Sequence, residues 1–202
     1  AVLLATLAAL RRLSDWGPRR QRLCFWMSTI FVSRVLLQMF WFWDRAISLV
    51  EIFAEAGFII PLSLYSLARG ARSERFLTTK HFDYLGLCFF FLGTALNVGS
   101  ELDRHVRRSP GHLYTQGPFA IVRHPNYTGE ILSFVGFALS SGNLLNLWIP
   151  LLMAVGMVLF SAPELDLYLA NRYPLDWVDY APSVPDSFLP LASSSSFEPF
   201  LF

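Results

Sequence analysis

The sequence predicts an all-α protein, a polytopic transmembrane helix bundle, on three observations. Hydrophobic residues fill 54% of the 202 positions and charged residues only 15%, well off the balance of soluble domains. Four apolar runs, Leu23 to Trp43, Ala46 to Ala68, Tyr84 to Gly99 and Leu144 to Ala162, are each near the length a helix needs to cross ~30 Å of hydrocarbon. Arginines gather between the runs, at Arg11/Arg12, Arg19/Arg20/Arg22, Arg69/Arg72/Arg75 and Arg104/Arg107/Arg108, as loop charges that set topology do. The formal net charge of +1 argues against a nucleic-acid partner, which would need a concentrated basic surface.

The opening AVLLATLAAL is too short to span and begins without Met, so it is expected to be the end of a helix whose start is missing. It lacks the basic region and cleavage site of a signal peptide. RRLSDWGPRRQR, with its Gly-Pro turn signal, reads as an interfacial loop. The next run carries Arg34 and Gln38, and the one after it Glu51 and Glu55, each pair four apart and so on one helix face. The carboxylates either pair with Arg34 or Arg45 or reach water, or they line a polar cavity, because an intramembrane carboxylate is a site candidate by default. Cys24 and Cys88 lie in apolar runs and read as core thiols.

YLGLCFFFLGTALNVGSELDRHVRR turns from apolar to polar within one helix, with Asn97 and Glu101, and Arg104 or Arg108, on a shared face. SPGHLYTQGP, with two prolines and two glycines, ends that helix. ILSFVGFALSSG is short for a span. It predicts either a helical hairpin turning near Gly142 or a half-inserted helix before one full span. The segment from PELDLYLANRYP onward is amphipathic and proline-punctuated, as an interfacial region is, and SSSSFEPFLF is expected to be a flexible tail. If each run crosses once, the basic loops after Arg69 and after Glu101 fall on opposite sides, against the positive-inside count.

No phosphate loop, metal-ligand histidine pair or nucleophile elbow is evident. Polar residues concentrate instead between Asn97 and Glu130, around FAIVRHPNYTGE. Arg108, Arg123 and His124 offer donors to phosphate, Asn97 and Asn126 can read an amide or ribose edge, and Tyr114, Tyr127 and Tyr168 supply flat faces and hydroxyls. That set suits a large, anionic, aromatic cofactor. The plainer alternative makes Arg123 and His124 interfacial anchors and the tyrosines an aromatic belt.

RHPNY followed by GE resembles the C-terminal motif shared by membrane sterol reductases of the steroid 5-alpha-reductase kind and by isoprenylcysteine and phospholipid methyltransferases. LNVGSELDRHVRRSPG, NYTGEILSFVGFALSSG and LYLANRYP resemble the reductase side. The likeness, over roughly residues 83–190, is closest to the 3-oxo-5-alpha-steroid 4-dehydrogenase C-terminal-domain family. It implies N-terminal transmembrane helices over 1–82, a catalytic region over 83–190 with a cytosol-facing cofactor pocket, and a tail over 191–202. It further implies an oxidoreductase that uses NADPH to reduce an enone C=C bond in a steroid-like or other lipid substrate within the endoplasmic-reticulum membrane. NADPH would be held by Asn97, Glu101, Arg108, Tyr114, Arg123, His124, Asn126, Tyr127 and Tyr168. The acid polarising the carbonyl is expected to be Glu55, or else Glu51, kept protonated by desolvation. Phe160 and Glu164 depart from the reductase pattern, and PELD resembles the acidic pair of the methyltransferases. S-adenosylmethionine-dependent methyl transfer is therefore the alternative, and a non-catalytic sterol-binding protein the second.

Overall fold

The computed structural model describes residues 19–42, 64, 80–185 and 187–188. Glu51 and Glu55, the rest of the second apolar run apart from Leu64, and the C-terminal tail lie outside the described residues. Among the described residues all regular structure is helical. In chain order these are α1 (Arg19–Trp41), α2 (Lys80–Arg107), α3 (Pro125–Ser140), α4 (Trp148–Gly156), α5 (Ala162–Arg172) and α6 (Pro174–Ser183). Short 3-10 turns cover Gly117–Ala120 and Leu144–Leu147, and one π-helical turn, Met157–Ser161, joins α4 to α5.

The stretch that turns from apolar to polar forms one helix, α2, which ends at Arg107 before the Ser109-Pro110-Gly111 break. Among the described residues two stretches are long and apolar enough to cross a membrane, His81–Arg107 and Leu144–Arg172. Leu151, Leu152, Val155, Val158, Leu159 and Phe160 point outward, a face suited to hydrocarbon rather than water. The π turn stands immediately ahead of Pro163, which has no N–H to donate and so breaks the i→i−4 ladder there.

α3 reverses into α4 through a tight turn at Gly142, whose φ is +72°, where a residue with a Cβ would be strained. Asn146 Nδ2 donates to Ser141 Oγ at 2.8 Å, and Leu145 N to Asn143 Oδ1 at 3.0 Å, closing the turn. The hairpin expected near Gly142 therefore forms.

The tightest packing is between α2 and α3, which run antiparallel. Gly86 and Gly93 on α2 meet Gly136 and Gly129 on α3, each pair seven apart, two turns of helix. A Cβ at Gly93 would stand 2.5 Å from Gly129 O and Ser133 N, and one at Gly136 2.5 Å from Phe90 N. Backbone touches backbone, the way small residues let membrane helices approach. Beside this seam a core of Met27, Phe31, Val32, Leu64, Phe90, Phe134, Phe137, Ala138 and Ile149 is buried. Edge-to-face pairs order it, Phe31 on Phe134 at 5.1 Å and Phe90 on Phe137 at 5.0 Å.

Replacing Gly93 with Ala should cost about 1–3 kcal/mol through overpacking and lower the melting temperature in detergent. Gly99→Ala, whose Cβ would meet nothing within 4 Å, should be neutral or slightly stabilising. Equal melting of the two variants would contradict the close seam.

Candidate functional site

Three helices each present two polar side chains four residues apart, and the pairs interlock. α1 supplies Arg34 and Gln38, α2 Asn97 and Glu101, α3 Asn126 and Glu130. Arg34 Nη2 donates to Glu130 Oε2, and Gln38 Nε2 to Asn97 Oδ1 at 2.7 Å. Asn97 Nδ2 donates to Asn126 O at 2.8 Å and to Glu130 Oε2 at 3.1 Å. Asn126 Nδ2 donates to Glu101 Oε1 at 2.9 Å, and Arg104 covers Glu101 Oε2. Arg34, Asn97 and Glu101 are buried, so each bond acts in a medium where an unmade one would be costly.

The motif sits where α3 begins. The turn Gly117–Ala120 buries Phe119, whose carbonyl accepts from the Tyr180 hydroxyl at 2.8 Å. Burial pushes the Tyr180 hydroxyl well above its ordinary pKa. Pro125 starts α3, which suits its fixed φ and missing N–H. Just ahead of it, Arg123 is fully engaged: Nε donates to Asp166 Oδ2 at 3.2 Å, Nη1 to the Val184 and Pro185 carbonyls at 2.8 and 2.7 Å, and Nη2 to Ser187 Oγ at 2.7 Å. His124, 1% exposed, shares a hydrogen bond between Nε2 and Asp166 Oδ1 at 3.0 Å. Its ring stacks on Tyr127 at 5.2 Å. His124 N donates to Ser187 O, and Thr128 Oγ1 to Phe188 O at 2.6 Å. Asp166 on α5 thus holds Arg123 and His124, and these two residues in turn bond the chain beyond α6.

Of the residues expected to hold a cofactor, Asn97, Glu101 and Asn126 share the interhelical network, while Arg123, His124 and Tyr127 form the adjoining cluster at the start of α3. Tyr114 is drawn away, its hydroxyl donating to Asp103 Oδ2. Arg108 is exposed just past the end of α2, and Tyr168 is exposed on α5. Arg34 pairs with Glu130; the Glu51 and Glu55 considered from sequence lie outside the described residues. Four residues that touch the site, Arg34, Gln38, Glu130 and Asp166, were not among the expected site residues. The repeat of the four-residue spacing at Asn126/Glu130 was the available signal for Glu130. Asp166 had only the PELD likeness. Among the described residues no group of three or more His, Cys, Asp or Glu could hold a metal ion.

A shallow depression of about 450 Å³ lies on the other side of the motif loop, lined by His112, Leu113, Thr115, Asp176, Asp179 and Tyr180 among others. None of the interlocked residues lines it. The Asp176 carboxylate accepts Leu113 N–H at 2.7 Å, and that bond first, with His112 nearby, holds it below its ordinary 3.8.

Asp166→Asn leaves one acceptor for two donors, so it should loosen the 184–188 segment and cost about 1–3 kcal/mol. Faster limited proteolysis after α6 is the readout, and unchanged cleavage would remove Asp166 as the tie. A depressed carboxyl stabilises the folded state fully above its unfolded pKa and loses that contribution as pH falls through the folded value. The loop at Leu113 should therefore loosen below about pH 4, followed by Trp177 fluorescence, and Asp176→Asn should abolish the transition.

Residues 74–173, just under half of the chain and including every motif residue, match the family model described as phospholipid methyltransferase, within the isoprenylcysteine methyltransferase-like superfamily. The chain is 33% identical over 102 residues to a probable O-methyltransferase, ustE, of Ustilaginoidea virens, covering 48% of this chain and 34% of that protein. It thus spans about a third of that relative's length. The match is to methyltransferases and not to the steroid 5-alpha-reductase family. The expectation of an NADPH-dependent, steroid-reductase-like oxidoreductase is overturned: the family implies S-adenosylmethionine in place of NADPH. With the reductase falls the enone-polarising role expected of Glu55 or Glu51. The site offers a physical reason, because Arg123 and His124, read from sequence as phosphate donors, spend their hydrogen bonds on Asp166 and the 184–187 segment. Residues 74–173 are thus similar to the phospholipid methyltransferase family.

Proposed function

We propose that this chain is a multi-pass membrane methyltransferase that uses S-adenosylmethionine to methylate an amphiphilic, lipid-like substrate reached through the bilayer. The observation that carries the reading is the family match over residues 74–173, which contains the whole α2–α3 network and the Asp166 tie. The relative's description as an O-methyltransferase favours a hydroxyl or carboxyl oxygen as acceptor.

The donor set suits the cofactor. Glu101, though bonded to Asn126 and Arg104, keeps carboxylate lone pairs that can accept from a hydroxyl or cationic group, and the stacked His124 and Tyr127 rings provide an aromatic wall. S-adenosylmethionine carries no phosphate, so arginines committed to carboxylates and carbonyls are no obstacle. When bound, it supplies a methyl group on a sulfonium that a nucleophilic atom can take directly. The chain's part is then to position and to exclude water: Asn97 and Glu130 fix the start of α3, Asp166 orients His124, and the outward apolar faces of α2 and α4 keep the acceptor's tail in hydrocarbon. An endoplasmic-reticulum location fits a lipid-modifying protein of this type.

The test is thermal unfolding of the detergent-purified chain with S-adenosylhomocysteine and, separately, with NADPH. S-adenosylhomocysteine at about a hundredfold its Kd should stabilise by about 2.7 kcal/mol, and NADPH should do nothing. Glu101→Gln, which keeps an acceptor for Asn126 but loses the charge, should weaken S-adenosylhomocysteine binding about tenfold. Stabilisation by NADPH alone, or by neither compound, would defeat the reading.

A further inference from the structure

Arg34 lies on α1, outside the stretch that matches the methyltransferase family, with its side chain only 5% exposed. One nitrogen, Nη2, donates to Glu130. The other two, Nε and Nη1, are buried and have no hydrogen-bond partner among the described residues. The guanidinium rests 4.6 Å over the Phe31 ring, which supplies polarisable surface but no acceptor oxygen.

Arginine keeps its charge at any ordinary pH and carries five donors in a planar fork. Buried donors are nearly always paired, and the exceptions mark a strained site or a missing partner. Glu130 is a weak match for this cation, because its Oε2 is shared with Asn97 Nδ2 at 3.1 Å. The Glu130 side chain is also 17% exposed, so its charge is partly answered by solvent while the guanidinium is sealed from it. Gln38 donates to Asn97 beside it, and the Arg34 guanidinium keeps two buried nitrogens with donor capacity to spare. A charged oxygen suits it best, since charge-assisted bonds are about twice as strong as neutral ones.

We infer that Arg34 is the receptor for an anionic oxygen group of a ligand, a carboxylate or a phosphate, bound where α1, α2 and α3 meet. That chemistry has two sources: the amino-acid carboxylate of the methyl donor, which rests on the function proposed above, or the headgroup phosphate of a lipid, which does not. The site lies on the same network as the motif and presents its spare donors from α1, which lies outside the family match.

The test uses the full chain in maltoside detergent, with wild type, Arg34→Lys, and the double variant Arg34→Met/Glu130→Gln, which removes both charges together and so strands neither. Binding is measured for S-adenosylhomocysteine against 5′-methylthioadenosine, which lacks the amino-acid carboxylate, and for dioctanoyl phosphatidic acid against dioctanoylglycerol, which lacks the phosphate. A donor-carboxylate site predicts that both variants lose about tenfold or more for S-adenosylhomocysteine and nothing for methylthioadenosine. A lipid-phosphate site predicts the same loss for phosphatidic acid alone. Arg34→Lys keeps the ion pair with Glu130, so it reports on the fork even where the double variant does not fold. Wild-type affinities for both anionic probes in the variants, or a wild type that binds neither probe, would overturn the inference. A wild type that binds phosphatidic acid through Arg34 but not S-adenosylhomocysteine would support it while removing the methyltransferase reading.

Discussion

The arrangement around the motif depends on how closely α2 and α3 approach. Gly129 occupies the middle of the second turn of α3, between Asn126 and Glu130, and a Cβ there would stand 2.5 Å from Asn97 N and 2.9 Å from Asn97 Cβ. Only backbone contact at that point lets Asn97 reach across to the Asn126 carbonyl and the Glu130 carboxylate together. With a larger residue the helices would separate, and short amide side chains could no longer span the gap. The apolar seam and the polar network are one structure: the glycines set the distance and the amides use it.

Asn97 is the hub because from α2 it spends both donor and acceptor capacity on two other helices, α1 and α3. A buried amide left half-satisfied would destabilise the bundle more than an alanine would, so its three bonds select one register of α1 against α2 and α3. The second cluster works differently. Asp166 holds Arg123 and His124 from a distant part of the chain, and each of its contacts is a bond between elements that neither local propensity nor apolar periodicity would bring together.

Much of this was legible in the sequence. The length of α2, its change of character, its break after Arg107 and the turn at Gly142 all follow from local composition and turn chemistry. The shared face of Asn97 and Glu101 follows from helical spacing. Partner choice across helices did not follow: nothing local in the sequence singles out Glu130 as a partner for Arg34. The choice of chemistry failed for a related reason. Arg123-His124-Pro125-Asn126-Tyr127 shapes the start of a helix beside an anchored loop, a geometry that serves hydride transfer and methyl transfer alike, and arginines that look free in a sequence are already occupied in the fold.

The ion pairs at the two ends of α2 have a consequence for depth. Arg20 meets Asp83 at 2.9 Å near the start of the helix, and Arg104 meets Glu101 near its end. At about 1.5 Å of rise per residue, Asp83 and Arg104 stand roughly 30 Å apart, the thickness of a bilayer's hydrocarbon. Set in a membrane, the helix is therefore fastened at both headgroup layers and cannot slide along its axis. Glu101 then lies close beneath one surface and Asn97 one turn deeper on the same side of the midplane, so a molecule meeting them would keep its polar end in that half of the layer and its tail alongside the helices.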